Sequence, residues 1–133
     1  MAGGWTMKLL LVDDEDQFRR SLMRQLMHRK YQVYEAADGE EAIEIISHHD
    51  IDITILDMRM PGLSGILVLN EIKRISPLTE VIMLTGHATV SAAMKAIKTG
   101  AFDYITKPVR LDELINKMED AYKKKELKKY KQN

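Results

Sequence analysis

Residues 55–62 read ILDMRMPG: an apolar run stops on Asp57, and a Pro-Gly turn follows at Pro61 and Gly62. The residues before it, Ile51 to Leu56, are β-branched or apolar apart from Asp52 and form a segment too short for an ordinary helix. Such a run, bounded by turn residues, predicts a buried strand. An ionisable group closing a buried strand is costly unless other polar groups meet it there. The reading of Asp57 therefore depends on what the rest of the chain brings to the same place.

Working outward, short apolar runs alternate with amphipathic ones. Lys8 to Val12 (KLLLV) predicts a first strand that runs directly into acids. Phe18, Leu22, Leu26 and Met27 then recur at helical spacing. Tyr31 to Ala36 predicts a second strand. Asp38 is placed to cap a helix through Ala42, Ile43, Ile45 and Ile46, with Glu41 at the capping-box position. Ile51 to Leu56 is the third strand. Ser64 is placed to cap a helix whose apolar face holds Leu67, Leu69, Ile72 and Ile75. Glu80 to Leu84 is the fourth strand, and Thr85 to Ala88 a loop. Val90, Ala93, Met94 and Ile97 mark a helix that Gly100 ends. Ala101 to Thr106 is the fifth strand, broken by Pro108. Leu111 to about Tyr130 is a final helix, acidic at Asp112 and Glu113 and lysine-rich at its end, as the helix dipole favours. Five strand-helix repeats predict an α/β fold, a doubly wound five-stranded parallel sheet with helices on both faces.

The bulk properties narrow the function. At 133 residues the chain fits one domain. Twenty basic and twenty acidic residues cancel, so no global field argues for binding nucleic acid or a basic partner. The absence of cysteine removes disulfides, thiol catalysis and cysteine metal sites, and suits a cytoplasmic protein. No apolar run approaches the roughly 20 residues of a membrane span. Residues 1–6 are expected to be a leader or an expression remnant, residues 7–122 the domain, and residues 123–133 a basic helical extension or linker. The tail YKKKELKKYKQN carries six lysines and one Glu, and is expected to be a solvated helix end leading into a linker. Leu127 and Tyr130 weakly extend its apolar pattern toward an interdomain or dimer helix.

In an open parallel sheet, functional groups gather beyond the carboxyl ends of the strands. Here those ends carry Asp13, Asp14 and Glu15, then Asp57, then Thr85, then Lys107 and Pro108. Crowded carboxylates repel. A divalent cation resolves the conflict, and one or two carboxylates with remaining positions left to water or phosphate describe a Mg2+ site. Lys107 adds a positive charge for an anion, and Thr85 a hydroxyl donor. These parts point to phosphoryl transfer with Asp57 as nucleophile and phosphoacceptor. Asp13 and Asp14 would hold the metal, helped by Asp57 and by a backbone carbonyl in the next loop, that of Arg59.

At these residues the chain resembles the receiver domain of two-component response regulators. The matching pieces are LLLVDDE (9–15), ILDMRMPGLSG (55–65), VIMLTGHA (81–88) and AFDYITKP (101–108), in order. The resemblance implies the CheY-like, flavodoxin-like strand order 2-1-3-4-5, an order for which the chemotaxis receiver is a standing example. It implies Asp57 as phosphoacceptor, Asp13 and Asp14 as the magnesium pair, Thr85 as the hydroxyl that moves to the phosphoryl group, and Lys107 as its lysine partner. It also implies a cis bond between Lys107 and Pro108, and Tyr104 as an aromatic that swings inward on activation. Arg59 and His87 fall where the family varies and tunes dephosphorylation. The implied partners are a sensor histidine kinase or phosphotransfer protein, a second copy through the α4-β5-α5 face, and an output domain. The segment from Leu84 to Pro108 is similar to receivers of transcriptional regulators, including those acting on sigma-54 polymerase. Direct nucleic acid binding by this domain and membrane association are not expected.

Blander readings exist for each residue. Asp57 alone could cap a loop, Thr85 could be a loop hydroxyl, Lys107 a solvated lysine, and Tyr104 a packing aromatic of a strand. His48 and His49 are adjacent, diverge on a helix and read as surface residues. An aspartate-nucleophile phosphatase would also use a strand-end Asp with magnesium, but the acid it needs two residues later is Arg59, which cannot exchange protons. A flavin or nucleotide binder should have a Gly-rich loop after the first strand, where this chain has DDEDQF. Whether the domain stands alone or belongs to a longer regulator is open.

Overall fold

The computed structural model describes residues 7–60, 62–86 and 89–132. The expected leader at residues 1–6, the turn proline at 61 and the position of His87 lie outside the described residues. Five strands, β1 (Lys8–Val12), β2 (Gln32–Ala36), β3 (Ile53–Asp57), β4 (Glu80–Thr85) and β5 (Asp103–Thr106), alternate with α1 (Asp16–His28), α2 (Gly39–His48), α3 (Gly65–Ile75), α4 (Val90–Thr99) and α5 (Leu111–Gln132). All pairings are parallel, in the order β2-β1-β3-β4-β5. Strand periodicity sorts the side chains. Leu9, Leu11, Ile53, Ile55, Ile82, Leu84 and Ile105 face one way, against Leu22 and Leu26 of α1 and Leu114 and Met118 of α5. Leu10, Val12, Leu56, Val81 and Met83 face the other way, against Ala42 of α2, Leu69 and Ile72 of α3 and Ala96 of α4. Fully burying each large side chain contributes about 2 kcal/mol.

Local signals set the helix starts. The Asp38 carboxylate accepts from the Glu41 N–H, and the Glu41 carboxylate accepts from the Ala37 N–H, closing a reciprocal cap. Ser64 and Thr89 cap α3 and α4 through the N–H groups of Leu67 and Ala92. Gly100, with φ of +123°, ends α4 in a conformation that L side chains rarely adopt.

Several expectations are corrected. Tyr31 precedes β2, Ile51 and Asp52 precede β3, and Ala101 and Phe102 precede β5, although the Asp52 and Phe102 N–H groups already donate to the carbonyls of Lys8 and Val81. Thr85 is the last residue of β4, not the first of a loop; the Lys107 N–H, donating to its carbonyl, keeps it in the ladder. Met27 and Leu67 are exposed although they fall on apolar helical spacing, since each sits at the edge of its stripe. The α4 stripe is real but uncovered, with Val90, Met94 and Ile97 all exposed.

Within the lysine tail, which is mostly exposed, Lys125 departs from expectation. Helix α5 runs unbroken to Gln132, and Lys125 is buried. Its ammonium donates to Asp52 Oδ1 at 2.6 Å, while Asp52 Oδ2 accepts from the Lys8 N–H at 2.8 Å. One turn on, Lys128 Nζ lies 2.9 Å from Oε2 of Glu80, a carboxylate with no solvent exposure. The extension is thus pinned to two acids at the amino edge of the sheet, opposite the Asp57 end. Lys125→Met, leaving Asp52 without its ammonium, is expected to cost about 3 kcal/mol in urea unfolding. Adding Asp52→Asn should recover part of that loss, whereas Leu127→Ala on the exposed face should stay within about 0.5 kcal/mol of the parent.

Candidate functional site

The register explains why acids close the strands. β1 and β3 are hydrogen-bonded neighbours, with Val12 paired to Leu56 at the end of the ladder. One residue further along each strand stand Asp13 and Asp57. Both continue the alternation of Leu11 and Ile55, so both lean to the α1/α5 face. Two carboxylates are therefore delivered side by side, buried, at the carboxyl edge of the sheet. On β5 the same parity carries Ile105 to Lys107, which brings the ammonium to that face. Lys107 Nζ lies 2.9 Å from Asp13 Oδ2, 3.0 Å from Glu15 Oε1 and 3.7 Å from Asp57 Oδ2. It also sits 4.5 Å from the centre of the Phe18 ring, a cation–π contact from α1.

The remaining groups complete a cradle. Asp14 is exposed at the rim, and one carboxylate oxygen from each of Asp13, Asp14 and Asp57 lies within 4.8 Å of the others. That donor set, all hard oxygen, with one member solvent-accessible, fits a small divalent cation that keeps part of its water. The Arg59 N–H donates to Asp57 Oδ1 at 3.3 Å, so the loop after β3 folds back over the acid. Gly65 makes that fold possible: a Cβ there would lie 2.7 Å from Met58 Cα and 2.8 Å from the Asp57 carbonyl oxygen. The Lys107–Pro108 peptide is cis.

Charge and burial act on the acids as expected for a crowded pocket. Burial first, then the charge of Asp13, push the Asp57 pKa above the ordinary aspartate value, against the opposing Arg59 N–H and Lys107 ammonium. Burial alone would lower Lys107, but hydrogen bonds to Asp13 and Glu15, with the charges of Asp13 and Asp57, outweigh it and hold that pKa above the ordinary lysine value.

Thr85 and Tyr104 belong to the other face. Thr85 follows the parity of Val81 and Met83, and Tyr104 pairs in register with Met83. Thr85 is buried, whereas Tyr104 is 37% exposed and lines a shallow apolar groove with Val90, Ala93, Met94 and Ile97 of α4. Asp57, Asp13, Asp14 and Lys107 thus meet in one cluster, and Tyr104 stands apart from it. His48 and His49 are exposed, with the His49 ring 4.6 Å from that of Tyr34.

Glu15, one of the strand-end acids, shares the Lys107 ammonium. One contributor escapes a reading by motif. Arg19 is buried and donates to the Asp13 carbonyl oxygen at 2.7 Å and to Glu35 Oε1 at 2.8 Å. The available signal was its place in the apolar stripe: Arg19, Leu22 and Leu26 follow helical spacing on the buried face of α1.

An open doubly wound sheet with an acid cluster and a lysine at its carboxyl edge defines a class of domain built to handle an anion beside a cation. Within that class the chain belongs to the response regulator receiver domain family, whose model matches residues 9–119. It is similar to the regulatory protein AtoC of Escherichia coli, at 37% identity over 107 residues, 80% of this chain and 23% of that protein. Among solved structures, a response regulator receiver domain from Clostridium thermocellum superposes with a TM-score of 0.86 at 37% identity, covering 91% of this chain and 98% of that one. The beryllofluoride-activated NtrC4 receiver domain dimer superposes with a TM-score of 0.83 at 32% identity, covering 89% and 98%. The chain spans about a quarter of the length of the curated relatives it matches. As a receiver it is a regulatory phosphoacceptor domain and not a catalytic enzyme, which sets the phosphatase reading aside. Among the described residues, no helix is long and apolar enough to cross a membrane.

The raised Asp57 pKa has a stability consequence. The folded state binds that proton more tightly than the unfolded chain, so the ionised form works against folding once pH exceeds the folded pKa. Asp57→Asn is therefore expected to raise the metal-free melting temperature at pH 7. The gain should shrink as pH falls through the raised folded pKa and be lost below about 4, where the parent carboxyl is protonated in both states. Thermal melts across pH check both points.

Proposed function

We propose that the domain is a phosphorylation-dependent switch that takes a phosphoryl group onto Asp57 from the phosphohistidine of a sensor kinase or phosphotransfer protein. The observation that carries this reading is the Lys107 ammonium lying 2.9 Å from Asp13 and 3.7 Å from Asp57 at the carboxyl edge of the sheet. An Asp57 carboxylate oxygen forms the new bond to phosphorus, and the bond from phosphorus to the donor nitrogen breaks, leaving its electron pair on the donor. Acetyl phosphate would serve equally, with acetate leaving. Asp13, Asp14 and Asp57, with the Arg59 carbonyl, would hold Mg2+, which when bound offsets negative charge on the phosphoryl oxygens. Lys107 would then exchange Asp13 for a phosphoryl oxygen, and the Thr85 hydroxyl would donate to another.

The likeness to receiver domains supplies the response, and the strand register is compatible with it. A Thr85 drawn toward the phosphoryl group vacates space on the α4 face, beside the strand position that carries Tyr104. Tyr104 then turns from its exposed position into that space, and the α4-β5-α5 surface changes shape. Exposed Val90, Met94 and Ile97 suit that surface to a second copy, a reading supported by the dimer of the NtrC4 receiver. Moving such a switch from 1:99 to 99:1 needs about 5.5 kcal/mol of preference for the active state. By likeness to AtoC and related transcriptional regulators, the output is control of transcription through a domain beyond α5, and the site of action the cytoplasm.

Intact-mass spectrometry after incubation with acetyl phosphate tests the assignment. One magnesium-dependent phosphoryl addition is expected, absent in Asp57→Ala. Undiminished labelling of Asp57→Ala would overturn it. Tyr104→Ala should label normally but lose phosphorylation-dependent association by analytical ultracentrifugation; unchanged association would return Tyr104 to packing.

A further inference from the structure

Holding two ionised acids in register does not by itself orient them for a cation. Asp13 follows β1 directly, and the strand ladder fixes only its N–H, which donates to the Ala36 carbonyl at 3.2 Å. The chain must then turn sharply into α1 while keeping the Asp14 carboxylate at the rim. The Asp13 carbonyl, buried at that turn, has no strand partner of its own.

We infer that Arg19 is a positioning residue for the metal-binding acids: its buried guanidinium clamps the Asp13–Asp14 turn between α1 and β2. Three contacts carry this. Nη1 donates to the Asp13 carbonyl oxygen at 2.7 Å, with Asp16 Oδ1 2.9 Å from the same nitrogen. Nε donates to Glu35 Oε1 at 2.8 Å, on the strand beside β1. Arg19 is 4% exposed and its bond to the Asp13 carbonyl is buried, so that contact is shielded from water and salt, while the Asp16 and Glu35 carboxylates meet the guanidinium from the solvent side. On the far side of the turn the Glu15 N–H donates to Asp13 Oδ1 at 2.9 Å. The peptide that joins the two acids is therefore held at its carbonyl by Arg19, and the first acid is held at its side chain by Glu15 and Lys107.

Charge gives a second role to the same group. Arg19 places a fixed cation next to the backbone of the acid pair without touching the acids' carboxylates. It lowers the cost of gathering them while leaving their oxygens free for a cation. A lysine has one donor centre and cannot span both the Asp13 carbonyl and Glu35 in this fork geometry.

The inference rests on the reading of Asp13, Asp14 and Asp57 as a magnesium site, and the test separates the two. Mg2+ is titrated into the parent, Arg19→Gln, Arg19→Lys and Leu26→Ala, followed by amide chemical shifts, with thermal melts alongside. The parent should bind, and Arg19→Gln should weaken binding about tenfold, the scale seen when a partner that orients metal ligands is lost. Arg19→Lys should fall between them, more than twofold weaker than the parent. Leu26→Ala, a buried change in the same helix remote from the acids, should lower the melting temperature and leave Mg2+ affinity unchanged. A parent that does not bind Mg2+ would defeat the metal reading itself. A binding parent with Arg19→Gln or Arg19→Lys within twofold of it would overturn the role of Arg19. So would an equal loss of affinity in Leu26→Ala, because the effect would then be general destabilisation. Should Arg19→Gln fail to fold, Arg19→Lys decides alone.

Discussion

Two carboxylates, Asp13 and Asp57, are forced side by side at the end of a buried parallel sheet, and the neighbourhood is organised around that confinement. The register of β1 against β3 delivers them, and the alternation of side chains turns both to one face. Their repulsion and burial raise the Asp57 pKa. Lys107 partly offsets the charge from β5, across two intervening strand pairings. The Gly65 approach, the Arg59 N–H and the Arg19 clamp each hold a different piece of backbone in place around the pair. A pocket that stores repulsion in this way has a reason to bind a cation and an anion together.

The opposite edge of the sheet uses the same physics to a different end. Asp52, just before β3, and Glu80, at the start of β4, are buried acids, and Lys125 and Lys128 meet them from α5. Here the charges are matched within the chain, so the result is attachment instead of binding capacity. The attachment ties the turn from Lys125 to Lys128 to the sheet while leaving Leu127 and Tyr130 exposed on its outer side.

Much of this was legible from residue order. Five apolar runs and five amphipathic ones specify the doubly wound sheet, and strand-end acids point to the Asp13, Asp14, Asp57 and Lys107 cluster because parallel strands share one carboxyl edge. What periodicity could not resolve was which apolar stripes would be covered. Val90, Met94 and Ile97 have the spacing of a packed face but lie open, since the helix buries only its Ala93 and Ala96 side against the sheet. Polar residues inside apolar stripes were equally hard to weigh. Arg19 and Lys125 look like surface charges by composition, yet each is buried because a backbone carbonyl or an acid far along the chain waits for it. Their partners, Glu35 in one case and Asp52 in the other, are 16 and 73 residues away.

On the proposed function, the acid cluster is a magnesium-dependent phosphoryl site wired to the α4 face. Fluorine NMR with beryllofluoride, a mimic of the phosphoryl group, reads both halves of that wiring when paired with amide spectra of the same sample. A bound fluorine signal should appear only with Mg2+ present and only with Asp57 intact, together with amide shifts at Thr85 and Tyr104. A bound signal in Asp57→Asn, or binding that leaves Thr85 and Tyr104 unshifted, would contradict it.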